Sequence, residues 1–93
     1  MKVIRRLPEL ERRHTMAILL IVRERGECNQ KYLITQIQSS SNQIADRIDQ
    51  LESLGLLNRE AELDGHREQS ITLTPLGLAV ADHLAEIERL LKK

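Results

Sequence analysis

Apolar residues recur at helical spacing along most of this chain, and the sharpest pattern lies in residues 40–54. Ile44, Ile48 and Leu51 fall at intervals of four and three, and Leu54 extends the same side. Ser40 is placed to cap the first free backbone amides, and Gln43, three residues on, completes the signature of a capping box. Gly55 suits the left-handed residue that ends a helix, and Leu56 and Leu57 follow as buried strand residues. The opposite side carries Asn42, Gln43, Asp46, Arg47 and Gln50. These groups hydrogen-bond well and have no need of burial, so an apolar back would hold them outward.

The flanking stretches predict three more helices and a hairpin. Residues 8–25 open on Pro8, with Glu9 and Glu11 near the positive helix end, and close on Arg23, Arg25 and Gly26. Within them, residues 17–22 are apolar nearly all round, which demands cover on more than one side. A second copy of the chain is expected to supply part of it, over Ile18 and Ile21. Asn29 is a cap for a second helix over 29–38, with Leu33, Ile34 and Ile37 inward. Ser39 to Ser41 then form a tight turn, so helices two and three read as a helix-turn-helix. Residues 56–73 predict a hairpin turning at Asp64-Gly65, a pair suited to positive φ at both positions. That turn would set Leu56 opposite Leu73, Asn58 opposite Ile71, and Glu62 opposite Arg67. Thr74 caps the last helix, 75–91, with Pro75 at its first position. Val80, Leu84, Ile87 and Leu91 recur there at four, three and four, and His83 widens the stripe as an interface histidine. A helix of this length spans ~25 Å and would overhang a small core. Its heptad-like edge predicts a dimer seam; folding back onto the first helix is the alternative.

Composition narrows the function. The 93 residues are 41% hydrophobic, enough for one packed domain. Tyr32 is the only aromatic, so there is no stacking platform for single strands. No apolar run nears the ~20 residues of a membrane span, and the opening residues lack the pattern of a secretory signal. Cys28 is alone, which excludes an internal disulfide and fits a reducing cytoplasm; its expected state is buried and inert. His14, His66 and His83 lie on three separate elements, and there is no glycine-rich phosphate loop. No enzyme activity, metal or cofactor is therefore expected. Net charge is zero but uneven: residues 1–38 hold eight Lys/Arg against four Asp/Glu, and residues 39–74 hold three against seven.

The runs LESLGLLNR (residues 51–59) and LTPLG (residues 73–77), with a hairpin between them, resemble the recognition-helix end and post-wing motif of MarR-type winged helix-turn-helix regulators. PadR-type and archaeal winged-helix regulators are similar. The resemblance covers roughly residues 27 to 80. It implies a mainly α fold with a small β-hairpin wing and an extended last helix. It also implies a homodimeric transcription regulator that binds double-stranded DNA. The third helix would enter the major groove, with the wing beside it and the terminal helices paired. Carried over by position, the DNA-facing residues are Ser40, Ser41, Asn42, Gln43, Asp46, Arg47 and Gln50, with His66 and Arg67 at the wing tip and Lys31 alongside. The dimer interface falls on Ile18, Ile21, Val80, His83, Leu84, Ile87 and Leu91. The chemistry agrees: Asn and Gln pair with adenine edges, Arg with guanine. A small-molecule effector is left open. The acidic 39–74 segment favours an alternative, a winged-helix module that docks a protein and binds DNA weakly or not at all.

Overall fold

The computed structural model describes residues 5–61 and 69–92. Its elements are α1 (Pro8–Glu11), α2 (Thr15–Arg25), α3 (Gln30–Ile37), α4 (Ser41–Ser53), β1 (Leu57–Ala61), β2 (Gln69–Leu73) and α5 (Pro75–Leu91). A helical body with one antiparallel strand pair is the fold class the sequence predicts. Helix ends follow the caps. Asn29 Oδ1 accepts from Tyr32 N at 2.8 Å, Ser40 Oγ from Gln43 N at 3.2 Å, and Thr74 Oγ1 from Gly77 N at 2.9 Å. At the end of α4, Gly55 (φ 77°) donates to Glu52 O and Leu56 N to Leu51 O, closing a Schellman motif over the buried pair Leu51 and Leu56.

α2 is the axis of the body. Ile18, Leu19 and Val22 have no exposed surface, and α1, α3, β2 and α5 all pack on this helix. Its all-round apolar band is thus covered mostly within one chain. The expectation that Ile18 meets a second copy is overturned, and Ile21 stays half-buried. Leu33 of α3 and Ile44, Ile48 and Leu51 of α4 close the core from one side. Leu57, Ile71, Ala81 and Leu84 close it from the other. Leu84 is therefore a core residue too, not a free seam position.

Two predicted boundaries differ. The single helix expected over 8–25 is broken: Arg12 is extended and His14 is left-handed (φ 71°) before α2 begins. Residues 11–14 are all charged or histidine and offer no apolar stripe, so packing does not hold a helix there. The break lets Leu10 fold back on the core. The strand register is also shifted by one. Leu57 faces Leu73, Asn58 faces Thr72, Arg59 faces Ile71 and Glu60 faces Ser70. The predicted register would have set polar Asn58 against buried Ile71. The observed one puts Leu57 and Ile71 on one inward face, and a one-residue slip would turn them out. The Asp64-Gly65 turn, with Glu62, His66 and Arg67, lies outside the described residues. Cys28 forms an isolated antiparallel bridge to Ile71, exchanging backbone bonds at 3.1 and 2.7 Å.

The joint between wing and last helix explains the LTPLG run. Thr74 N donates to Leu56 O at 3.1 Å, and Thr74 Oγ1 donates to Gly55 O. A Cβ on Gly77 would sit 1.9 Å from Leu56 O, so only glycine lets α5 approach that carbonyl.

Candidate nucleic-acid interface

α3 ends at Gln38 in the left-handed conformation (φ 59°), and Ser39 and Ser40 carry the chain into α4. This tight link fixes α4 against α3, while Ile44, Ile48 and Leu51 anchor its back. Its forward face then follows from helical geometry. Ser40, Ser41, Asn42 and Asp46 are exposed, and Gln43 and Gln50 are half-buried. The capping box is only half formed: Gln43 Oε1 accepts from Ser39 Oγ at 2.6 Å and does not turn back to Ser40 N.

Arg47 departs from the expectation of a freely outward cation. Its side chain is 14% exposed; Nη1 donates to Gln50 Oε1 at 2.8 Å and lies 3.2 Å from Asp46 Oδ2. Its Nε is buried and has no partner. Arg47 lies along its own helix, and it brings Asp46 and Gln50 into one polar cluster on the forward face.

Arg59 was not singled out from the sequence. It lies on the inward face of β1 and reaches back to α4, where Nη2 donates to Glu52 Oε1 at 2.8 Å and also to Asp49. The bond to Glu52, reinforced by Asp49, pushes the guanidinium pKa up. Asp49 and Glu52 stand one turn apart at i and i+3, and an arginine two residues into the following strand was the available signal. With both its arginines paired to acids, the α4–β1 surface carries Asp46, Asp49, Glu52 and Glu60 against two cations.

Lys31 is exposed on α3 and does not join the α4 cluster; it borders a separate cleft with Arg25 and Tyr32. Of the interface positions, Val80 packs partly on the core, whereas His83, Ile87 and Leu91 are exposed. Ile21 lines a groove of about 460 Å³ between α2 and the end of α5, floored by Ala17, Leu20 and Ala85. Among the described residues no group of three His, Cys, Asp or Glu is placed to hold a metal ion, and no helix is long and apolar enough to cross a membrane.

A helix-turn-helix whose second helix stands beside a strand pair, closed by a Thr-capped last helix, is the winged helix-turn-helix fold. Solved structures bear this out. MarR from E. coli, a cysteine-to-serine variant crystallised with operator DNA, superposes at a TM-score of 0.72 with 18% identity, over 80% of this chain and 53% of that one. A transcriptional regulator homologue from Pyrococcus horikoshii OT3 gives 0.76 with 13% identity, over 89% and 83%. ZitR from Lactococcus lactis gives 0.73 with 19% identity, over 83% and 58%. The chain thus spans about half the length of the MarR structures it matches. No protein-family model matches the chain, and no curated protein matches it in sequence.

Proposed function

We propose that the chain is a transcription regulator that binds duplex DNA as a homodimer, with α4 in the major groove and the strand pair beside it. The observation that carries this reading is the forward face of α4. Ser41, Asn42 and Asp46 are exposed on a helix whose back is locked into the core. A winged helix held this way presents amides to base edges, and Asn42 and Gln43 suit adenine. Ser40, Ser41 and the first turn of α4 suit a phosphate that sets register. Arg47 would leave Gln50 and Asp46 to reach a guanine, trading an orphaned Nε–H for a full set of partners. The solved MarR structure with operator DNA, similar in fold, supports the DNA-binding part of this reading.

The charge of the α4–β1 surface shapes the expected behaviour. Phosphate contacts supply most non-specific affinity, and this surface offers few. Binding is expected to depend on base contacts, with a shallow salt slope near ~3–5 phosphates per dimer. The same acidity supports a second reading, in which Asp46, Asp49 and Glu52 face a basic protein segment. The test is selection of bound sequences from random duplexes at moderate salt, followed by titration of the winner with wild type and Asn42→Ala. Enrichment of one motif, and a loss of discrimination in the variant, carries the DNA reading. Failure to enrich any motif overturns it in favour of the protein partner.

A further inference from the structure

We infer that the cleft between the end of α2, the start of α3 and β2 is a phosphate-binding site built on Arg25, Tyr32 and Lys31. The cleft has a volume of about 420 Å³ and is lined by Arg25, Lys31, Tyr32, Glu27 and Ser70, with Cys28 beneath them. Arg25 and Lys31 enter it from two different helices. The Arg25 guanidinium carbon stands 4.1 Å from the centre of the Tyr32 ring. A guanidinium stacked on an aromatic face is held flat, and its edge N–H groups are left in plane for an oxyanion. Tyr32 is itself fixed, because its backbone N–H is capped by Asn29 at 2.8 Å.

Most arginines on the helices and strands are engaged, whereas Arg25, like Arg5, Arg12 and Arg13 near the start of the chain, is in no carboxylate pair among the described residues. Arg6, Arg23, Arg59 and Arg89 are each held by a carboxylate. Among the described residues, neither Arg25 nor Lys31 is in such a pair, although Glu27 borders the same cleft. Among the described residues the cleft therefore carries a net positive charge, beside an α4–β1 surface that is net negative. Its back wall is rigid, since Cys28 and Ile71 exchange backbone bonds. Two cations of different shape on a fixed frame suit a phosphate group, which accepts a fork from arginine and a point charge from lysine. The phosphate belongs either to the backbone of a bound duplex or to a free phosphorylated molecule. The first source rests on the DNA reading above; the site itself does not.

The chain has one tyrosine and no tryptophan, so its ultraviolet emission reports on this cleft alone. Wild-type protein titrated with inorganic pyrophosphate, at ionic strength matched with chloride, is expected to show a saturable change in Tyr32 emission. Lys31→Ala and Arg25→Gln should each weaken the apparent affinity about tenfold, the scale of one charge-assisted contact, and Glu27→Gln should strengthen it. Both weakened positions are exposed, and an unchanged far-ultraviolet spectrum checks that the variants fold. A response no different from chloride, or one that persists in both variants, overturns the site. The salt slope for duplex DNA then separates the sources. A fall of about one phosphate per site in each variant assigns the backbone. An unchanged slope with the pyrophosphate effect intact assigns a free phosphorylated ligand. A wild type that binds no duplex would defeat the DNA reading and leave the pyrophosphate result standing.

Discussion

At the scale of single residues, two positions show how the fold is held and where it is left under tension. Gly77 lies against Leu56 O, the carbonyl that also accepts from Thr74 N. A methyl group there meets backbone, which has no rotamer to escape into. Gly77→Ala should cost about 3 kcal/mol, the scale of a forced overpacking, read as a lowered urea midpoint with an unchanged slope. The LTPLG run showed in the sequence that a cap and a helix start were present, but the need for glycine came from a contact across twenty-one residues. Arg47 is the opposite case: sequence placed it outward, and the molecule folds it in with Nε unpartnered. An orphaned buried donor costs about 1–3 kcal/mol. Arg47→Met keeps the apolar stem and removes the donor, so stability should hold or rise while discrimination between duplexes falls. A variant that is less stable and still discriminates would show that the guanidinium is structural. Cys28 is the simplest test of burial, which raises its thiol pKa above the usual value. Its alkylation at pH 8 should be slow in the native protein and fast in urea.

At the scale of elements, most of the helices were legible, because caps and stop signals are local. Asn29, Ser40, Thr74 and Gly55 act where they stand in the chain, and α3, α4 and α5 begin and end within a residue or two of the predicted limits. The break at His14 and the strand register were not legible, because each is decided by what packs against it. The register along 57–61 and 69–73 follows the burial of Leu57 with Ile71. That register also aims Arg59 at α4, where Asp49 and Glu52 join the strand pair to that helix. Arg59→Met should loosen this joint at a cost of about 1 kcal/mol, since the carboxylates are largely solvated. Faster amide exchange in β1 and the end of α4, with α2 unaffected, is the expected signature. The terminal ion pairs predict an acid response of defined sign. Arg89 lowers the Glu86 pKa below its usual 4.5, and Arg6 does the same for Glu11, with the Leu7 amide adding to it. A lowered folded-state pKa gives stability that is present above the unfolded value and lost as pH falls through the folded one. Both groups are exposed, so the effect is confined to fraying of α1 and the end of α5 below about pH 4.5, visible in exchange at those helices before any global transition.

At the scale of the whole molecule, the distribution of apolar surface argues for where a second copy would sit. The chain measures 54 × 33 × 26 Å, long for its size. α5 divides into two halves: Gly77, Ala81 and Leu84 are buried against the chain's own body, whereas Ile87, Leu90 and Leu91 are exposed, Leu91 to 79%. Such a cluster is expected to find cover, and the groove beside it, floored by Ala17, Leu20, Ile21 and Ala85, has an apolar floor and charged edges in Arg23, Glu24, Glu88 and Lys92. The two halves of α5 make the seam separable from the core. Leu84→Glu should unfold the chain, because it buries a carboxylate among Ile18 and Leu19. On the homodimer proposed above, the wild type should sediment as a dimer, and Ile87→Glu combined with Leu90→Glu, which touches only exposed positions, should yield folded monomers. Those monomers should also lose most of their affinity for a two-fold site, because only a dimer spaces two α4 helices by about one DNA turn, ~34 Å. If the double variant still sediments as a dimer, the pairing surface lies elsewhere, and the position of α4 in each copy must be set by another contact.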